Sequence, residues 1–349
     1  MHILYCFDEA YSMVAAVSML SLVKKNKNII IHVLAINISL QCKEKFSNWL
    51  SEMDVKIFFY DVTDLLIPLG KAFEGRNVNI ATFGRLFAAS VLPEKIDKVL
   101  YLDCDTLIID SLCEISNFNM RDYSIAAVYD MSLPPVGAKR ELGYKENEIY
   151  VNAGVLYINL NYWREYDLEK RFVDYCMNYP DTTYLDQDAI NLICHDSLLL
   201  LPAKYNMTFI TSEIPFKNAI RMLDRNFSLY YDEQEFTISQ KSPCIIHFAG
   251  ELFGKPWYTE SKIKYTDYWR QLRLQTPWSE ELLHERHYSN NRYIAIYKKI
   301  VEKFITIFYR RGKYTIVSWL YSIFYKGAHK MNYIIKSIRR NGRKRIQEV

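Results

Sequence analysis

The sequence contains no Cys-x-x-Cys pair, and its seven cysteines (6, 42, 104, 113, 176, 194 and 244) are odd in number and scattered. That argues against a disulfide framework or a structural zinc site and suits a reducing compartment. A basic leader with a cleavage site is also missing: Met1 runs straight into the apolar residues 3–7, so no signal peptide is expected. Long hydrophobic runs are lacking too. The longest, 14–23 and 315–325, are too short to span a bilayer and hold polar residues. No internal repeat or low-complexity tract is visible, although 28 Tyr and 18 Phe are spread along the chain. Half of the 349 residues are hydrophobic and 24% are charged, which excludes a disordered chain. The length has room for one large α/β domain with an appendage, or for two modest domains.

Charge is divided unevenly. Residues 285–349 hold 16 Lys/Arg against 3 Asp/Glu, whereas the first 284 hold 28 against 37. An acidic body with a basic tail implies two parts with two partners. In the tail Tyr293, Ile296, Tyr297, Ile300, Phe304, Ile307 and Phe308 recur at helical spacing, punctuated by Lys298, Lys299, Lys303, Arg310 and Arg311. Trp319, Phe324 and Tyr325 add aromatics, and the run 339–345 ends in charge. The pattern predicts an amphipathic helix on an anionic membrane surface. A helix packed on the domain is the second reading. A nucleic-acid-binding tail is the last, because no recognised fold accompanies the basic run.

The body alternates strand and helix. Strands are expected over 3–7, 29–34, 55–60, 98–102, 124–129, 155–159 and 244–248, and helices over 11–24, 41–52, 85–92, 163–179 and 185–196. This predicts β-α-β units and a mainly parallel sheet. Asp8, Asp103, Asp105, Asp130 and His247 all fall at or just past expected strand ends, where open α/β sheets hold their ligands. The most telling of these is Asp103-Cys-Asp105, which follows the apolar run Val99–Leu102. Carboxylates placed beside a buried strand need a positive partner. Hard oxygen ligands suit Mg²⁺ or Mn²⁺, and such an ion commonly bridges nucleotide phosphates.

Six blocks recur in a recognisable order: Phe7-Asp-Glu-Ala-Tyr11, Thr82-Phe-Gly-Arg85, Leu100-Tyr-Leu-Asp-Cys-Asp105, Tyr150-Val-Asn-Ala-Gly154, Tyr184-Leu-Asp-Gln-Asp188, and His247-Phe-Ala-Gly250 with Lys255-Pro-Trp257. On these the sequence resembles the retaining glycosyltransferases of family 8, over roughly residues 1–270. The resemblance implies a single Rossmann-like nucleotide-binding (GT-A) domain over 1–275, with a mixed, mainly parallel sheet, and a helical, membrane-associating tail over 285–349. It implies transfer of glucose or galactose from a UDP-sugar to a growing surface glycan or lipooligosaccharide, on the cytoplasmic face of the cell membrane.

The resemblance also implies roles. Asp103, Asp105 and His247 are the expected metal ligands, a carboxylate and imidazole set that suits Mn²⁺ (or Mg²⁺). Asp8 and Tyr11 are the expected uracil contacts, Lys255 and Gly250 the diphosphate contacts, and Arg85, Asn152, Asp130, Asp186 and Gln187 the sugar-pocket residues. Simpler readings stand beside these. His247 could be a packed histidine, Asp8 a helix cap, and Asp186 the first residue of a helix. Because Gln187 carries an amide where a carboxylate nucleophile would be needed, a same-face substitution is expected rather than a double displacement. A sugar-nucleotide-binding protein without transfer activity is the main rival. Three features depart from the family pattern: Cys6-Phe7 where small residues are common, Ala10 where a polar residue is common, and Glu251 in a slightly lengthened loop.

Overall fold

Among the described residues, apolar runs rich in Ile, Val, Leu and Tyr form ten strands. In chain order they are β1 His2–Asp8, β2 Ile30–Ile36, β3 Lys56–Asp61, β4 Lys98–Leu102, β5 Thr106–Ile108, β6 Ile125–Tyr129, β7 Val151–Asn159, β8 Leu198–Leu200, β9 Met207–Thr208 and β10 Ile245–His247. Seven make one sheet in the order β3-β2-β1-β4-β7-β6-β8, and three make a second, β5-β10-β9. In the large sheet β7 runs antiparallel to β4 and β6, and every other pairing is parallel. The computed structural model describes residues 1–76, 78–131, 139, 142–145, 147–208, 210–223, 225–250, 254–286, 292–317, 319 and 320. They divide into two compact units: residues 1–213 with 226–286, and residues 214–225 with the chain from 287 onward.

Both sheets lie in the first unit. Between them the helix Ser12–Lys25 packs on β1, on β5 and on the helix Thr266–Arg273. That helix is buried from Ser12 to Leu22, which explains its small side chains. Its serines are satisfied across the packing seam: Ser18 meets Tyr5 Oη at 3.1 Å and Thr106 Oγ1 at 3.0 Å, and Ser21 Oγ accepts the Ile108 N–H at 2.9 Å. Trp278 closes the unit against Phe46, with ring centroids 4.3 Å apart. The second unit includes the helices Phe216–Met222 and Arg292–Arg310.

Two expected helices differ in the structure. The helix expected over 85–92 starts as the end of a 3-10 helix, Ile80–Phe87, and is α-helical only over the single turn Ala88–Val91. Gly84 seats it directly on β1, since a Cβ there would lie 2.2 Å from Cys6 Sγ. The helix expected over 163–179 breaks into Leu160–Glu165 and Leu168–Asn178 at Asp167, whose φ is +49°. Aspartate tolerates that left-handed conformation better than most residues. β7 begins at Val151, four residues before the expected start, and this shift decides where the site forms.

At the amino end of β1, His32 stacks on Phe58 and Tyr60 (centroids 5.7 and 5.8 Å apart), with Nε2 2.9 Å from His2 Nδ1. Burial, followed by the neighbouring His2, lowers its pKa from 6.5 to about 4. The neutral ring therefore belongs to the fold, and this contribution is complete above pH 6.5 and is lost as pH falls toward 4. His32→Gln should remove that dependence. Chemical denaturation at pH 7.5 and pH 5 should show a wild-type loss, beyond that of the variant, of at most about 2 kcal/mol once solvent screening is allowed for. Parallel pH profiles for the two proteins would reject the assignment.

Candidate active site

The chain reverses strand order between β1 and β4, and both strands end on the same rim. Asp8 closes β1, and Asp103 and Asp105 follow β4 directly. Because β7 runs antiparallel, its first residues reach that rim rather than the far one. Asp103 N–H donates to Gly154 O at 2.8 Å, and Asp130 N–H donates to Tyr150 O at 2.9 Å. Pairing of His247 with Thr106, in the small sheet, brings the imidazole beside Asp105.

One ligand atom each from Asp103, Asp105 and His247 lies within 4.8 Å of the others. His247 Nε2 is 3.1 Å from Asp105 Oδ1 and 3.7 Å from Asp103 Oδ2. Burial alone would lower the His247 pKa, but Asp105 and then Asp103 outweigh it and raise it. Burial would likewise raise Asp105, yet Lys255 and His247 hold its carboxyl well below the usual range. Lys255 Nζ donates to Asp105 Oδ2 at 2.9 Å and also to Phe248 O. Gly154 makes the cluster possible: a Cβ there would stand 2.2 Å from His247 Cε1 and 2.7 Å from Asp103 Oδ2. Two carboxylates and an imidazole with one ligand atom each so close together fit a divalent cation.

Arg85 anchors the next group. Its guanidinium, buried over the Tyr101 ring, pairs with Asp103 Oδ1 at 2.9 Å and Asp186 Oδ2 at 3.0 Å, and donates to Ala153 O at 2.6 Å. Burial would lower its pKa, but the two aspartates outweigh that and keep it charged. Asp186 is pushed up by burial, against the pull of Arg85, and its Oδ1 accepts from Thr82 Oγ1 at 2.7 Å. Beside it Gln187 Nε2 donates to Asp130 Oδ2 at 3.0 Å, while its Oε1 accepts from Ala153 N–H at 3.0 Å and Asn152 Nδ2 at 3.3 Å.

Asp186 and Gln187 open the helix Asp186–Cys194, and Leu185 before them has φ +57°. A left-handed value at a non-glycine residue costs about 1–3 kcal/mol and persists only where its surroundings enforce it. Here Asp188 does so: it accepts from Tyr150 Oη at 2.6 Å, Thr182 Oγ1 at 2.5 Å and Tyr184 N–H at 2.7 Å.

On the base side, Asp8 Oδ1 is buried with no hydrogen-bond partner among the described residues, and Oδ2 accepts from Asn79 Nδ2 at 3.3 Å. A buried carboxylate oxygen without a donor calls for one from a ligand. Tyr11 meets Trp257 edge-on, with centroids 6.0 Å apart. Gly250 and Gly254 both take positive φ, +81° and +80°. Glu251 lies outside the described residues. The Cys6 departure is accommodated, since its thiol fills the space over Gly84 and donates to Ala81 O at 3.3 Å.

The structure thus brings Asp103, Asp105, His247 and Lys255 together, and Arg85, Asp130, Asn152, Asp186 and Gln187 together, joined through Arg85 and β7. Asn206 is a site residue that sequence reading missed. It links His247 Nδ1 (3.0 Å) to Asn152 Oδ1 (2.9 Å) from a loop turn that carries no periodic signal. Thr82 and Asp188 stand inside quoted blocks, but only the fold shows what they hold.

The model of glycosyl transferase family 8 matches residues 2–261. The chain is 26% identical over 322 residues to lipopolysaccharide 1,2-glucosyltransferase of Escherichia coli, covering 89% of each. It is 24% identical over 287 residues to general stress protein A of Bacillus subtilis (strain 168), covering 80% of this chain and 95% of that protein. The galactosyltransferase LgtC, crystallised with donor and acceptor sugar analogs, superposes with a TM-score of 0.64 at 23% identity, covering 81% of this chain and all of that one. That likeness gives the fold its GT-A assignment.

Gly154→Ala should push His247 away from Asp103. Isothermal titration should show Mn²⁺ affinity reduced at least about 100-fold, with a stability loss of about 1–3 kcal/mol. Unchanged Mn²⁺ binding by the variant would mean that these three side chains do not form the ion site.

Proposed function

The chain belongs to glycosyl transferase family 8, and we propose that it moves glucose or galactose, with retention, from a UDP-sugar to a hydroxyl of a growing surface glycan or lipooligosaccharide. The observation that carries this reading is the closure of Asp103, Asp105 and His247 around one point, beside a polar pocket built on β7. Relatives named as lipopolysaccharide glucosyl- and galactosyltransferases support the hexose and the acceptor class.

A divalent cation, Mn²⁺ by its tolerance of mixed oxygen and nitrogen donors, would be held by Asp103, Asp105 and His247 and would supply charge against the departing diphosphate. Asp8 Oδ1 accepts the uracil N–H, and Tyr11 stacks on the base. Lys255 offsets charge on the leaving UDP, and Gly250 and Gly254, without side chains, let backbone approach the phosphates. Asp130, Asn152 and Gln187 meet the sugar hydroxyls, while Asp186 acts through Arg85.

Retention by double displacement needs a free carboxylate nucleophile. Asp186 has both oxygens engaged, Asp130 accepts from two amides through Oδ2, and Gln187 is a poor nucleophile. The reaction is therefore a same-face substitution. The bond from the anomeric carbon to the phosphate oxygen breaks, the bond to the acceptor oxygen forms, and the acceptor proton passes to the departing diphosphate.

The basic tail docks the enzyme on the inner face of the cell membrane. The helix Arg292–Arg310 exposes Ile296, Ile300, Phe304 and Ile307 at spacings of four, four and three, with Lys299 and Lys303 also exposed, which supports an interfacial helix. No helix among the described residues is long and apolar enough to cross a membrane. Phe324, Tyr325 and the run 339–345 lie outside the described residues.

Two experiments test the reading. UDP release from a panel of UDP-sugars should occur with one UDP-hexose and Mn²⁺, should stop with EDTA, and should fall at least about 100-fold in Asp103→Asn. Metal-dependent UDP binding without turnover, even with acceptor glycans, would favour a binding protein, and a trapped adduct on Asp130 or Asp186 would overturn the same-face route. In flotation assays the chain should bind vesicles containing anionic lipid. The double variant Ile300→Glu, Phe304→Glu should stay in the soluble fraction; equal flotation of both proteins would reject the docking helix.

A further inference from the structure

The amide side chains of the site have an orientation that can be reasoned out from fixed donors. A backbone N–H can only donate, and Gly154 N–H lies 3.0 Å from Asn152 Oδ1. That end of the Asn152 amide is therefore its oxygen. Asn206, 2.9 Å from the same oxygen, must then present its NH₂ group there. Its own carbonyl oxygen is left facing His247 Nδ1 at 3.0 Å. A carbonyl can only accept, so Nδ1 carries a proton, and Nε2, on the side of Asp103 and Asp105, is the nitrogen through which the neutral ring would ligate a metal.

We propose that Asn206 is a positioning residue that fixes the His247 tautomer able to ligate a metal and, with its other end, orients the Asn152 amide toward the donor sugar. Both Asn206 and His247 are 3% exposed, so water does not supply a substitute partner cheaply. Asn152, once held, turns its Nδ2 to Asp130 Oδ2 (3.4 Å) and Gln187 Oε1 (3.3 Å). One side chain, on a loop turn between β8 and β9, thus couples two neighbouring parts of the site: it reinforces the Asn152 orientation that the Gly154 N–H sets and passes that polarity on to the imidazole. Partners of this kind around metal-bound histidines typically change affinity by roughly 10–100-fold when removed.

The proposal rests on the metal and donor reading above, and two variants separate its two ends. Asn206→Leu keeps the approximate volume and removes both hydrogen bonds. Asn206→Asp keeps an acceptor for Nδ1 but sets a second oxygen against Asn152 Oδ1. Titration with Mn²⁺ alone should show affinity lowered roughly 10–100-fold in Asn206→Leu and restored to the wild-type value or above in Asn206→Asp. With Mn²⁺ present, Asn206→Asp should bind UDP as wild type does but UDP-hexose about tenfold more weakly, the effect of one misdirected buried hydrogen bond. Wild-type Mn²⁺ affinity in Asn206→Leu, or equal weakening of UDP and UDP-hexose in Asn206→Asp, would overturn the role. Failure of the unaltered chain to bind Mn²⁺ would overturn the metal reading itself, and this proposal with it.

Discussion

Arg85 lies between Asp103 and Asp186 with its guanidinium out of water, and the rest of the rim depends on that charge. Asp186 and Asp130 are almost fully buried, and Asp103 and Asp105 are half-buried beside them. So dense a set of carboxylates would repel itself apart or take up protons without a fixed cation. Breaking a buried pair by removing one partner costs about 3–5 kcal/mol, because the other charge is left stranded. Arg85 therefore does two jobs with one group. It balances the metal-side acid, and through Asp186 it ties down the helix start that carries Gln187.

The second constraint is geometrical. An all-parallel sheet would send the start of β7 to the opposite rim. Reversed, β7 delivers two consecutive backbone N–H groups, Ala153 and Gly154, into the site, and these orient Gln187 and Asn152. The absence of a side chain at Gly154 then admits His247. A rigid strand, hydrogen-bonded on both sides, is a better carrier for such contacts than a loop, since positions set within about 0.5 Å decide how well a site functions.

Much of this was legible in sequence, and for identifiable reasons. Apolar runs that end in aspartate mark β1 and β4 and place Asp8, Asp103 and Asp105 at a rim, because burial cost makes that pattern uncommon without a partner. His247 followed from the short run before it. The start of β7 was not legible, since Asn152-Ala-Gly154 has weak strand propensity and is held by groups distant in sequence, the Asp103 N–H on Gly154 O and Gln187 Oε1 on the Ala153 N–H. The 3-10 form of Ile80–Phe87 depends on Gly84 meeting Cys6, a contact between residues 78 apart in the chain that no local pattern reveals. Asn206 gave no signal at all. Its meaning lies entirely in what stands on either side of it.

The order in which the parts appear along the chain has a consequence for the protein as it is made. The last strand of the large sheet, β8, ends at Leu200, so a growing chain holds the whole sheet, Arg85, both metal-side aspartates and the sugar-facing residues well before β10 exists. His247 and Lys255 arrive only with the final hundred residues, and β5 has no β10 to pair with until then. A chain that stops short of β10 thus carries every strand of the large sheet but lacks the imidazole beside Asp105 and the ammonium that pairs with it.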